Sequence, residues 1–356
     1  MTALRTLRDP APGSIAPDVE DFLRALGGPS VVALTGRDRD PARRRAAVTL
    51  LHGNEPSGLR AVHALLRAGR RPAGDLLLAV VAVETALGPP PFAHRQRPGG
   101  RDLNRCFRAP FEGREGALAG DMLRALEAFA PACLLDLHNN TGQSPPYGVA
   151  PRADGPHRTL AGLFGDALVQ SDLELGALVE ATDRRHPSVT VECGRAGDPQ
   201  ADAVARRGLE AFADAADPAA GDGAGVRVLR DPRRVRVRES LRLAFAARPD
   251  PGADLTLRDD LERHNFLPVA AGTALGWVRQ GCDWPLEMRD ARGRDHSREL
   301  FALERGVLRA ARELLPIMVT TLPDVARSDC LFYVVVDSGS RTVDPAGRGA
   351  SPVPRP

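Results

Sequence analysis

The stretch "VTLLHGNEPSGLRAV", residues 48–62, runs an apolar segment into a histidine, then Gly-Asn-Glu, then a proline able to open a helix. Val48 to Leu51 have the character of a buried strand end. Residues 56–69, "PSGLRAVHALLRAG", have apolar side chains at helical spacing. A strand-to-helix crossover is therefore expected, with His52 and Glu55 at the join. In layered α/β sheets ligands bind beyond the carboxyl ends of strands. A histidine and a carboxylate three residues apart at such a place either grip a metal ion or fill a polar turn. The pair alone does not choose, because a second H-x-x-E, His296 to Glu299 in "RDHSREL", occurs in a polar stretch with no strand before it.

Working outward, short apolar runs alternate with helical patterns. "VVALTG" (31–36), "AAVTLLHG" (46–53), "DLLLAVVAV" (75–83), "ACLLDLH" (132–138) and "SVTVECG" (188–194) are expected strands. The continuous apolar run at 75–83 suits a strand covered on both faces. Helices are expected at 56–69, 116–129, 157–168 and 199–216. This alternation indicates an α/β layered domain over residues 1–216. Residues 217–225, "DPAAGDGAG", resemble a linker. Beyond it "GVRVLRDPRRVRVRE" alternates with period two, "FLPVAAGTALGWV" suggests strand–turn–strand, and "CLFYVVV" (330–336) suggests another strand. A smaller, mainly β C-terminal domain over 226–337 is expected, followed by a Pro/Gly/Arg-rich disordered tail at 338–356.

Composition narrows the chemistry. The chain has 356 residues, 43% hydrophobic, and a net charge of +2, too small to suggest a nucleic-acid partner. The longest apolar run, "LLLAVVAV" at 76–83, falls far short of the roughly 20 residues a membrane helix needs, so no membrane partner is expected. The N-terminal "MTALRTLRDPAPG" lacks the apolar core and cleavage site of a secretory signal. Five cysteines with no C-x-x-C pair argue against a disulfide framework or a thiolate zinc site and fit the cytoplasm. All 48 basic residues other than histidine are Arg. With no lysine, Schiff-base and phosphate-loop lysine mechanisms are excluded. No G-x-S-x-G elbow supports a serine hydrolase, and no G-x-G-x-x-G follows a strand.

Two further strand ends carry ionisable groups. "LLDLHNNTG" ends its apolar run in His138, and His₂Glu is an established catalytic zinc set. His52, Glu55 and His138 would supply it; the plainer alternative is a histidine that closes a strand and bonds a loop. In "VTVECG", Thr190 and Glu192 share one face of the strand. A carboxylate there serves as a base beside a metal site or as an ion-pair partner for one of many arginines. The loop "RQRPGGRDLNRCF" adds Arg97, Arg101, Asp102, Asn104 and Arg105. Guanidinium forks match carboxylates and can stabilise a developing oxyanion.

Taken in order, "HGNE", "RDLNR", "DLH" and "VECG" resemble the succinylglutamate desuccinylase and aspartoacylase family of zinc-carboxypeptidase-like amidohydrolases, over roughly residues 45–215. The resemblance implies a mixed sheet flanked by helices with a smaller β domain after it. It implies one Zn²⁺ per chain on His52, Glu55 and His138, and Glu192 as general base and acid. Arg97, five residues before Asp102, would polarise the scissile carbonyl. Asn104 and Arg105 would grip the substrate carboxylate, and Asp102 would orient a ligand histidine. The sequence departs from the family in three respects: Tyr147 and Tyr333 fall in no motif, Arg101 and the Pro-Gly-Gly before it make an unusual lead into "DLNR", and between His138 and Glu192 no residue clearly matches a further substrate arginine, Arg184 or Arg185 being the nearest candidate.

The implied activity is hydrolysis of the amide bond of a small N-acyl amino acid with an acidic part. A carboxypeptidase or peptide amidase on the same scaffold is one rival, and a metal-retaining binding protein without turnover is another. The sequence leaves room for a homo-oligomer.

Overall fold

The computed structural model describes residues 4–335 except 173, 291 and 329, so the expected tail at 338–356 lies outside the described residues. Among them, nine strands form one mixed sheet. They are β1 (Arg5–Arg8), β2 (Ser30–Leu34), β3 (Arg45–Thr49), β4 (Leu76–Val80), β5 (Cys133–Asn140), β6 (Tyr147–Ala150), β7 (Ala167–Gln170), β8 (Ser188–Arg195) and β9 (Arg227–Arg230). Their spatial order is β1-β2-β4-β3-β5-β8-β6-β7-β9. The central four, β4-β3-β5-β8, are mutually parallel. The chain leaves β3 for β4 on one side and later places β5 on the other, so the strand order reverses at β3. Ligand crevices open at such a reversal, outside the carboxyl ends of the strands.

Helices cover both faces because the central strands are apolar on both. On one side Ala47, Leu78, Leu135 and Leu137 pack in one core with Phe22 of α1 (Val19–Leu26), Leu59 of α2 (Ser57–Ala68) and Phe212 of a later helix, Pro199–Asp214. On the other, Ala46, Val48, Leu77 and Leu134 pack with Met122 and Leu126 of the helix Gly113–Phe129. Successive residues on a strand face opposite ways, and each face meets its own helix layer. At Gly58 of α2, a Cβ would meet the Thr49 hydroxyl and stand 2.7 Å from Leu137 Cβ. The missing side chain therefore lets the first turn of α2 lie directly on β3 and β5.

Past the large sheet, β10 (Arg233–Val237), β11 (Leu243–Phe245), β12 (Leu255–Leu257), β13 (Ala274–Val278), β14 (Leu286–Glu287), β15 (Phe301–Glu304), β16 (Val307–Ala310), β17 (Leu315–Ile317) and β18 (Phe332–Val335) form two smaller sheets. Their orders are β14-β10-β18-β17 and β11-β12-β13-β16-β15.

Three local expectations change. The helix expected over 157–168 ends at Gly162, and Ala167–Gln170 instead pairs in parallel with β6. Gly162 and Gly165 weaken helix propagation there. The alternating arginine stretch after the linker divides at Asp231 (φ 53°) and Pro232. β9 before that break pairs with β7 in the large sheet, and β10 after it joins a smaller one. In "FLPVAAGTALGWV" only β13 is a strand. Phe266 (φ 61°) turns the chain and Pro268 has no N–H to give a ladder, so Val269 makes an isolated bridge with Leu314.

Candidate metal centre

β3 stops three residues before His52. Leu50, wholly buried, adopts φ 58° and turns the chain off the sheet. The turn is tight enough for the Glu55 amide to donate to the His52 carbonyl at 3.3 Å. This brings both side chains back over the strand ends. His138 lies near the end of β5, in register with Glu192 on the adjacent β8. Thus a loop after one strand and two neighbouring strand ends deliver four groups to one place.

The donor atoms converge. His52 Nδ1 is 2.9 Å from Glu55 Oε1, and His138 Nδ1 is 2.7 Å from Glu55 Oε2. One ligand atom from each of the three residues lies within 4.8 Å of the others, and all three side chains are buried. Each imidazole is held from behind: His52 Nε2 by Asp102 Oδ1 at 2.9 Å, His138 Nε2 by Asp136 Oδ2 at 2.9 Å. Carboxylates behind the outer nitrogens fix ring orientation and raise the basicity of the inner ones. Two imidazole nitrogens and a carboxylate, close together, buried and supported in this way, fit a divalent ion of the zinc class. Burial raises the pKa of Glu55, but the two imidazoles it bridges more than offset that, leaving its carboxyl well below the ordinary range.

Glu192 retains some exposure as a residue, yet its Oε2 is shielded and without a hydrogen-bond partner among the described residues. Burial pushes its carboxyl up to about 7; His138, His52 and Arg95 oppose the shift, and Glu55 adds to it. An orphaned buried oxygen of this kind costs free energy unless something satisfies it. Asn139 links the parts. It accepts from the Ser57 amide at 3.0 Å, donates to Gly194 O at 3.0 Å, and its own amide donates to Glu55 Oε2 at 3.3 Å.

Arg97 lies away from the cavity that holds His52, Glu55, His138 and Glu192. Its guanidinium is 3.3 Å from Glu115 and faces a separate small cavity with Arg101 and Arg114. The Pro98-Gly99-Gly100 turn, with Gly99 at φ 69° and the Gly100 amide donating to Arg97 O at 2.9 Å, carries it away. Arg95 stands at the centre instead. It donates from Nη1 to Glu55 Oε1 at 3.2 Å and from Nη2 to Asp102 Oδ2 at 2.9 Å. Counting back from Asp102 misses it because that turn lengthens the loop.

Asp102 opens the short turn Leu103–Arg105 by accepting from the Asn104 amide at 2.8 Å while it holds His52. Asn104 is buried with Nδ2 3.5 Å from His138 Nε2, and Arg105 donates to Asn104 O at 2.8 Å. Both line the cavity above His52, Glu55, His138 and Glu192, which has a volume of about 230 Å³. Sequence reasoning passed over Asp136, although an acid two residues before His138 on a buried strand shares its face. Tyr147 and Tyr333 also reach the cavity, and the Tyr147 hydroxyl donates to Asn140 Oδ1 at 2.9 Å. Neither Arg184 nor Arg185 lines it, and Arg185 pairs with Glu127 at 3.1 Å. His296 is bound by Glu299 at 2.6 Å and Asp290 at 3.1 Å, far along the chain in the smaller sheets.

Comparison with known proteins agrees with this architecture. Residues 46–215 match the model of the Succinylglutamate desuccinylase/Aspartoacylase catalytic domain. No curated protein sequence matches the chain. Among solved structures, a succinylglutamate desuccinylase/aspartoacylase from Rhodobacter sphaeroides is similar at 18% identity and a TM-score of 0.57, covering 85% of this chain and 87% of that one. The succinylglutamate desuccinylase from Chromobacterium violaceum gives 16% identity and 0.56, with 85% and 87% covered. The product-bound ectoine utilization protein EutE (DoeB) from Ruegeria pomeroyi gives 19% and 0.55, with 86% and 87% covered. At these identities the likeness speaks for the fold.

Proposed function

We propose, from the match of residues 46–215 to the succinylglutamate desuccinylase/aspartoacylase catalytic domain, that this chain is a member of that family and a zinc-dependent hydrolase of the amide bond in an N-acyl amino acid. One observation carries the proposal: Nδ1 of His52 and Nδ1 of His138 meet the two oxygens of Glu55, each ring backed by its own carboxylate, beside the shielded carboxylate of Glu192.

His52, Glu55 and His138 would hold the ion. When bound, zinc supplies Lewis-acid polarisation of a carbonyl and activation of a water at neutral pH. Glu192 accepts the proton of the attacking water and returns it to the departing amine, which must leave protonated. Arg95, beside Glu55, is in reach of the oxygen on which negative charge develops, and a guanidinium there lowers the barrier. Arg105 meets the carboxylate of the amino-acid part, and Asn104 steadies both Arg105 and the loop carrying Leu178, whose amide donates to Asn104 Oδ1 at 2.9 Å.

The test is metal analysis of the purified protein combined with hydrolysis of a panel of N-acyl amino acids, before and after chelation. Expected are one zinc per chain, activity lost with the metal and regained with it, and release of free amino acid. In Glu192→Gln, metal content should stay unchanged while kcat falls by roughly 10²–10⁴. Full activity in that variant, or a metal-loaded enzyme that cleaves none of the panel, overturns the proposal.

A further inference from the structure

We infer that the substrate of this cavity carries a single negative charge and is otherwise uncharged, an inference that rests on the hydrolase proposed above. Among the described lining residues the only guanidinium groups are Arg95 and Arg105, and the chain contains no lysine. Arg95 is committed to the reaction centre. Its Nη1 donates to Glu55 at 3.2 Å, and its Nε and Nη2 donate to Asp102 at 3.3 and 2.9 Å. Arg105 donates from one nitrogen to Asn104 O, which leaves the rest of its fork for one carboxylate.

Apart from the ion, a second carboxylate on the substrate would find no further cation among the described lining residues. Besides the ion-holding residues and the two arginines, the ionisable groups of the described lining are Glu192, Glu180, Tyr147, Tyr333 and Cys330, none of which brings a positive charge, and Glu180 is bound to the amides of Leu175 and Gly176 at 3.0 and 2.8 Å. The remaining described wall is mixed: Asn140, Thr141, Thr190 and Thr320 add neutral polar groups, and much of the rest is hydrocarbon. Val149, Val169 and Val179 line one part of it, and Met318, Val319 and Val325 line another. A carboxylate pressed against that hydrocarbon loses its hydration without a partner, whereas an alkyl or aryl group gains by burial. The acidic part expected from the sequence is therefore met by one carboxylate on Arg105.

Two pairs of near-isosteric probes separate charge from size: N-acetyl-L-leucine against N-acetyl-L-aspartate, and N-(4-methylpentanoyl)glycine against N-succinylglycine. With zinc-loaded enzyme, kcat/KM is expected to favour the uncharged-chain member of at least one pair by about a hundredfold or more. Equal rates, or a preference for the dicarboxylates, overturn this inference and leave amide hydrolysis standing. Cleavage of none of the four, nor of other N-acyl amino acids, overturns the hydrolase itself and this inference with it. In Met318→Arg, zinc content should be unchanged and the preference should shrink at least about tenfold; an unchanged ratio in a zinc-loaded variant removes that wall from the substrate's surroundings.

Discussion

Asp136 supports the centre through His138, whereas Arg95 stands beside Glu55 at the centre itself, and the consequences differ. Asp136 is fully buried and touches His138 Nε2, while Thr190 Oγ1 donates to it at 3.4 Å. Asparagine there keeps the shape but loses the charge that raises His138 basicity. Zinc affinity of Asp136→Asn should fall by about 10–100-fold, measured by competition with a chromophoric chelator; unaltered affinity would contradict the assigned role. Arg95 and Arg97 provide a direct contrast. Arg95→Ala should cost at least about a hundredfold in kcat/KM, because it removes the guanidinium beside Glu55. Arg97→Ala should cost less than about threefold, since Arg97 is part-exposed and its partner, the part-buried Glu115, lies outside the cavity. Parallel kinetics on the two variants decide which arginine serves the reaction. Both residues are plain in the sequence. Their directions are not, because they depend on how the loop carrying both is folded, with the Pro-Gly-Gly turn directly after Arg97.

At the scale of elements, the helix Gly155–Gly162 is tied to the turn before β8 by a charge cluster centred on buried His157 and Asp183. His157 lies with Nδ1 2.5 Å from Asp154 and Nε2 2.5 Å from Asp183, and Arg152 donates to Asp183 at 2.8 Å. Burial lowers the pKa of His157, yet the two carboxylates more than offset it, so the ring titrates above its ordinary value. Asp154 and Asp183 titrate below theirs, even though burial alone would raise them. A raised histidine stabilises the fold fully below its unfolded value of about 6.5. That contribution is lost as pH rises through the folded value. The two aspartates contribute above the ordinary carboxylate range and lose it only in acid. The melting-temperature gap between wild type and His157→Gln should therefore be largest near pH 6 and shrink towards pH 9. A gap that stays constant across that range would show the ring to be neutral throughout. The sequence reading extended this helix to 168 because its apolar spacing continues, but glycines at 162 and 165 let the chain turn into β7.

For the whole molecule, the smaller sheets complete the cavity that the large sheet begins. Glu262 accepts from Thr321 Oγ1 at 2.6 Å and from the Gln143 amide at 3.3 Å, and Asn265 Nδ2 donates to Gln143 O at 2.7 Å. The loop after β5 and the segment bearing Met318 to Thr320 are held together by these bonds, and both line the cavity. Glu262→Ala should raise KM several-fold with zinc content unchanged, since the binding wall loosens while the ligands stay in place; an unchanged KM would separate that wall from substrate binding. By itself the sequence determined the strand–helix alternation, the three strand-end groups His52, Glu55 and His138, and the family resemblance. Each of these is written in local periodicity or in short motifs. Only the tertiary structure decided that Arg95 rather than Arg97 faces the centre, that Asp136 stands behind His138, and that Tyr147 and Tyr333 meet across one cavity. Those facts depend on loop direction and on contacts between residues distant along the chain, and no spacing rule encodes where a turn sends the side chains beyond it.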